Sequence, residues 1–256
     1  MAGERRACHQ RATGRTGGCH RRRHGGQGRR AAGGARQARP RQTIATGLIM
    51  AVILCYGDSN THGTTPLLQL GQLGRHARED RWPDVMAQAL GSDHQVISEG
   101  LPGRTTVHDD MVEGGMRNGL TVLPAILHSH APIDLMVLML GTNDLKNRFS
   151  VTAFEISRSL ERLIVATRAE GVVKDILLVS PVPVREAGVL KDVFAGAEAR
   201  QQGLSGFILA AAERQGVRFF DAGSVVSVSP VDGVHWDVAA HHAMGAAMAQ
   251  AVAAWL

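Results

Sequence analysis

From Ala51 onward, short apolar runs that stop at glycine turns take turns with longer stretches of helical periodicity. Ala51–Tyr56 is apolar and ends in Gly57-Asp58-Ser59-Asn60, the pattern of a buried strand followed by a turn. Gly57 is expected to permit a tight turn. Trp82–Leu90 reads as a helix with Pro83 in its first turn and Gly91 as its stop. Gln95–Glu99 reads as a second strand running into the turn-rich Gly100–Thr106, and Asn118–His130 as a helix that Pro124 should kink or shorten. Asp134–Leu140 is almost uninterruptedly apolar, as in a strand covered on both faces, and ends in Gly141-Thr142-Asn143-Asp144. Phe154–Glu170 carries the helical period through Ile156, Leu160, Leu163 and Ile164. Asp175–Val179 is a fourth strand, stopped by Ser180-Pro181-Val182-Pro183. A helix is expected over Ala197–Gln215 despite Gly203 and Gly206, then a fifth strand over Val217–Phe220 and a closing helix over Asp237–Leu256. This order predicts an α/β fold, a five-stranded parallel sheet with helices on both faces and right-handed crossovers.

Composition divides the chain in two. Of 256 residues, 44% are hydrophobic, enough for a sizeable core, and one domain with an appendage is the default. The formal charge of +5 and pI near 9.7 suggest a nucleic-acid partner until the charge is located. Residues 1–49 hold 12 Arg, no Lys and one acid, whereas residues 50–256 hold 16 basic and 22 acidic residues, a net −6. The Arg/Gly-rich extension 1–49 lacks aromatic residues and periodicity and cannot bury a core of its own. It has three readings: a nucleic-acid-binding tail, a twin-arginine or signal segment, or an inert stretch ahead of a true start at Met50. The signal reading would make the Ser59 strand its apolar region, so cleavage would destroy the site. Nucleic-acid binding is the disfavoured reading, and the domain proper is placed at 50–256. Cys8 and Cys19 with neighbouring histidines lack the paired spacing of zinc sites, so no metal is expected. One cysteine in the body, Cys55, cannot form an intradomain disulfide, which predicts a reducing, cytoplasmic setting. No run of 18 apolar residues exists to span a membrane.

Four polar clusters follow strands or fall late in the chain: Gly57–Asn60, Gly100–Thr106, Gly141–Asp144 and Asp232-Gly233-Val234-His235. The first three open on one edge of a parallel sheet, where such folds place their sites. Ser59 supplies a hydroxyl. His235 can take its proton near neutral pH. Asp232, three residues earlier, can hold the other ring nitrogen. Backbone N–H groups of Ser59 and Gly103 and the side-chain amide of Asn143 are candidate oxyanion donors. Each feature has an ordinary alternative: GDS and DG are common turns, Asn143 could cap a helix, and His235 could be an exposed loop residue.

The four blocks together resemble the SGNH hydrolases of the GDSL type over about residues 50–256. Within them EGLPGRTT, MLGTND, FFDAGSV and VDGVHW are most similar to bacterial arylesterase and acetylesterase-like members, including the mycobacterial acyltransferase–perhydrolase type. The resemblance implies a flavodoxin-like α/β/α sandwich and Ser59 as nucleophile and oxyanion donor. It also implies Gly103 and Asn143 as further donors, an Asp232–His235 pair, a small ester substrate and no cofactor. Some relatives pass the acyl group to alcohols or peroxide, and some are homo-oligomers whose neighbours wall the site. One residue departs from the family pattern: Asn60 stands where Leu is usual, which puts polarity beside the acyl site. Asn60, His62 and Lys146 are candidate substrate contacts; for Lys146, as for Arg148, both just after Gly141–Asp144, a solvated face is the ordinary alternative. The segments Thr61–Arg81 and Arg185–Ala195 are expected to shape the pocket. Trp82 and Trp236 read as core. His76, His94, His108, His128, His130, His241 and His242 read as surface or helix positions.

Overall fold

The computed structural model describes residues 51–72 and 74–255. The Arg/Gly-rich extension, its two cysteines and its nucleic-acid reading lie outside the described residues. Five strands, β1 (Ala51–Gly57), β2 (His94–Gly100), β3 (Ile133–Met139), β4 (Val173–Ser180) and β5 (Arg218–Asp221), form one parallel sheet in the order β2-β1-β3-β4-β5. The chain reverses its direction of travel across the sheet between β1 and β3, the position where doubly wound sheets open a crevice.

Strand side chains alternate between two cores. Leu54, Tyr56, Met136, Leu138, Ile176 and Leu178 pack against α3 (Gly119–His130), α4 (Ala153–Glu170) and α6 (Leu204–Gln215). Ile53, Cys55, Leu135, Val137, Leu177 and Val179 pack against α2 (Trp82–Leu90) and α7 (Val238–Ala253), through Trp82, Met86, Trp236, Met244 and Met248. Both tryptophans are core residues, as read from the sequence. The result is the three-layer α/β/α sandwich that the alternation predicts. Among the described residues no helix is long and apolar enough to cross a membrane.

Several boundaries differ from expectation. Thr61 and His62 belong not to the long loop but to α1 (Ser59–His62), a single turn capped by Asp58. Gly57 is the last residue of β1 and does not adopt a positive φ. Glycine is required there because a Cβ would collide with the Thr61 hydroxyl. Pro124 lies inside α3 without ending it, since Asn118 caps the helix and its apolar face packs on the sheet. The helix expected over Ala197–Gln215 is two, α5 (Ala197–Arg200) and α6, because Gly203 takes φ +76° between them. α7 is followed by a turn and ends at Ala253 rather than at Leu256. His241 does lie on a helix, but it is wholly buried, and burial pushes its imidazole down to about 3.

Candidate active site

Ser59 is set by β1 and its cap. The Asp58 carboxylate accepts the Asn60 N–H at 2.9 Å, which turns the chain into α1 directly after the strand. As the first residue of that turn, Ser59 has a backbone N–H with no intrahelical acceptor. Burial pushes the Asp58 carboxyl up, against the Asn60 N–H and the Thr142 hydroxyl that favour its ionised form.

The Asp232–His235 turn is built around one carboxylate. Asp232 Oδ1 accepts the N–H groups of Val234 at 3.0 Å and His235 at 2.9 Å, while Oδ2 meets His235 Nδ1 at 2.7 Å. Gly233 takes φ +74°, and a Cβ there would collide with the Arg185 carbonyl. Burial alone would raise the Asp232 carboxyl. The His235 hydrogen bond and charge and the N–H groups of Leu67 and His235 outweigh it and hold the group below the usual carboxylate range. An ionised Asp232 can only accept, so His235 carries its proton on Nδ1 and presents Nε2 as a base.

Gly103 adopts φ +79° in the loop after β2. The loop is held by its neighbour. Buried Arg104 donates to the carbonyls of Gly57 at 2.9 Å and of Glu99, and its guanidinium lies 4.2 Å from the centre of the Tyr56 ring. Asn143, in a 3₁₀ turn after β3, donates Nδ2–H to the Arg104 carbonyl at 3.1 Å. It therefore does not cap a helix with its side chain. An amide has two N–H groups, so one remains after Arg104 is served. The Gly103 loop, the Asn143 side chain and the end of β1 are thus tied through Arg104.

Ser59, Gly103, Asn143 and His235 all line one cavity of about 670 Å³ at the carboxyl edge of the sheet, with Asp232 behind His235. The expected wall segments do line it: Leu67, Leu70 and Arg75 from one, Leu190, Val193 and Phe194 from the other. Of the three substrate-contact candidates, His62 lines the cavity. Its imidazole is pushed down to about 4 by burial and by Arg75 and Arg81, so it is neutral at pH 7. Lys146 also lines the cavity, but its ammonium group is neutralised by Asp110 at 3.1 Å and Glu113 at 2.6 Å. Asn60 does not line it. Its side chain is buried and donates to the Val234 carbonyl at 3.2 Å, fastening the serine turn to the histidine turn, so the expected polarity beside the acyl site is absent.

Sequence reasoning assigned no role to Arg104, although it stands in a quoted motif. It also missed the Leu67 N–H, which donates to Asp232 Oδ2 at 2.7 Å and pins the long wall segment to the acid. A backbone donor leaves no residue-type signal. Among the described residues no group of three or more His, Cys, Asp or Glu side chains is placed to hold a metal ion.

The family model described as GDSL-like Lipase/Acylhydrolase family matches residues 55–243. Solved structures similar to this chain include the native aryl esterase of M. smegmatis, at 38% identity and TM-score 0.77, covering 80% of this chain and 100% of that one. A carbohydrate acetylesterase of Sinorhizobium meliloti matches at 35% identity and TM-score 0.77 over 80% of this chain and 100% of that one. A carbohydrate acetylesterase family member from the same organism matches at 42% identity and TM-score 0.73, over 79% and 97% respectively. Comparison with curated proteins gives no match.

Proposed function

The chain belongs to the GDSL-like lipase/acylhydrolase family and is a carboxylic ester hydrolase; from that premise we propose that it cleaves short-chain, acetyl-type esters through an acyl-enzyme on Ser59. The observation that carries this reading is the 2.7 Å Asp232–His235 pair opening on the same cavity as Ser59. His235 Nε2 takes the Ser59 proton as Oγ attacks the ester carbonyl. The oxyanion is held by the N–H groups of Ser59 and Gly103 and the free amide N–H of Asn143. Protonated His235 returns the proton to the leaving alcohol. Water, activated by the same imidazole, then releases the acid. Acetyl preference is supported by the acetylesterase similarity.

The reading extends to secondary acyl transfer to alcohols and to a homo-oligomer. Leu70 and Glu113 line one cavity, and their loops also expose Leu68, Met111, Val112 and Met116, an apolar rim of the kind a second copy covers. Sedimentation tests the assembly, with a strict monomer counting against it. A series of 4-nitrophenyl esters from acetate to octanoate tests the chemistry. Turnover should fall as the acyl chain lengthens, and a rise through octanoate would remove the short-chain assignment. Vinyl acetate with benzyl alcohol should give some benzyl acetate beside a larger yield of acetic acid.

A further inference from the structure

Four cationic side chains line the active-site cavity: Arg75, Arg117, Lys146 and Arg148. Two of them are spent. Asp110 is wholly buried and binds Lys146 at 3.1 Å and Arg148 at 2.8 Å, and Glu113 Oε1 binds Lys146 at 2.6 Å and Arg148 at 3.5 Å. Burial would raise the Asp110 carboxyl, but the Glu113 N–H, Arg148 and Lys146 hold it down at about 2, so the group is anionic throughout the working range. Two acids thus balance two bases. Arg75 and Arg117 have no carboxylate within ion-pair distance among the described residues, although residues 50–256 carry 22 acids and a net −6.

Both arginines are anchored by a single neutral contact. Arg75 donates Nε–H to the His62 carbonyl at 2.7 Å, and Arg117 donates from one terminal nitrogen to the Pro102 carbonyl at 2.6 Å. Their other N–H groups have no protein partner among the described residues, and Arg117 Nε is buried without one. Arg117 lies against the oxyanion loop beside the second oxygen of Glu113: a Cβ built on Gly103 would be 3.0 Å from Glu113 Oε2 and 3.4 Å from Arg117 Cδ and Nε. His62 is neutral at pH 7 and adds no charge. The cavity lining therefore carries four cationic side chains against Glu113 and the buried Asp110 behind it, an excess of positive charge in a negatively charged body, with Arg75 on the segment that follows α1 and Arg117 on the loop that follows β2.

We propose that Arg75 and Arg117 form an anion subsite, and that the preferred substrates are esters carrying a carboxylate on the part of the molecule that fills the cavity. A guanidinium pairs a planar carboxylate through two parallel N–H bonds. Arg75 is exposed at the mouth and Arg117 half-buried, and charge of one sign lining a cleft raises capture of an oppositely charged substrate. This rests on the esterase reading above.

The test uses a matched pair, 4-acetoxybenzoate and its neutral isostere 4-acetoxybenzamide, with the ratio of their kcat/KM values as readout. The full-length protein is compared with Arg75→Gln, Arg117→Gln and the double variant. The ratio should fall about 5- to 10-fold from wild type to the double variant, mainly through KM for the benzoate, with the single variants between. In wild type it should also decline as salt is raised. If Arg117→Gln loosens the Gly103 loop, both substrates slow together, and a fall in the ratio for Arg75→Gln still supports the subsite. A ratio unchanged in the double variant and flat with salt, while 4-nitrophenyl acetate is still turned over, overturns the subsite and leaves the esterase reading standing. Failure of wild type to turn over 4-nitrophenyl acetate overturns both.

Discussion

The floor of the cavity and its walls are built in different ways. The floor hangs from three parallel strands and the late Asp232–His235 turn and is fixed by buried polar contacts: Asp58 on the Asn60 N–H, Arg104 on Gly57, Asn143 on Arg104, Asp232 on His235. The walls are loops with exposed apolar tips, Leu68 at 75% and Met111 at 87% exposure, and a four-membered charge network at their base. The floor spends burial on position, whereas the walls spend exposure on shape and charge. Substitutions in the floor should therefore act on kcat, and substitutions in the walls on KM and selectivity.

The sharpest way to break this contrast is Ser59→Ala. Loss of the proposed nucleophile should lower kcat by about 10⁴–10⁶ with the fold intact by circular dichroism. Equal turnover of 4-nitrophenyl acetate by both proteins would end the assignment of the floor. Asp232→Asn comes next. It replaces an acceptor by an amide that can present N–H to His235 and favour the wrong tautomer, so kcat should fall by about 10³–10⁴ with KM little altered. For Asn143→Ala the expected loss in kcat is about 10²–10³. It also removes the bond to Arg104, so chemical denaturation should show a cost of about 1 kcal/mol. A stability loss with full activity would make the residue a mere brace.

The walls give smaller effects. Asp110 has a folded pKa of about 2, below its unfolded value, so its contribution is present above about pH 4 and is lost as pH falls toward 2. Urea titrations of wild type should lose about 2 kcal/mol more over that window than those of Asp110→Asn. Equal slopes would show that the network is not holding the carboxylate. Smallest of all, His62→Gln should leave the shape of the kcat/KM–pH profile unchanged above about pH 6, because the imidazole with its value of about 4 has already lost its proton there. A vanished limb would move the working base to the wall.

The same contrast explains what could be read from the chain. Strands announce themselves by apolar runs, and their carboxyl ends were marked by glycine, so Ser59, Asn143 and the Gly103 loop were legible, together with the five-stranded order of elements. The side-chain target of Asn60 was not, because contact with Val234 links positions 174 apart and depends on how two turns meet. Lys146 lines the cavity, but its neutralisation by Asp110 and Glu113 needed a loop conformation that no periodicity encodes. The break at Gly203 had a visible signal that helical periodicity on either side outweighed. Arg75 and Arg117 stand in no motif, and only the fold brings them to the cavity.

The bond from the Leu67 N–H to Asp232 has a meaning for how such an enzyme can diversify. The contact belongs to the peptide unit, so the bond itself survives any side chain at position 67 but proline. Length is another matter. Adding or deleting a residue between Gly63 and Leu67 would pull a donor away from the acid and be selected against through the reaction itself. The tip beyond it, from Leu68 to Gly71, carries no such tether. Lineages with this scaffold should therefore accumulate insertions at the tip and hold the stem at constant length, trading substrates without retuning the base.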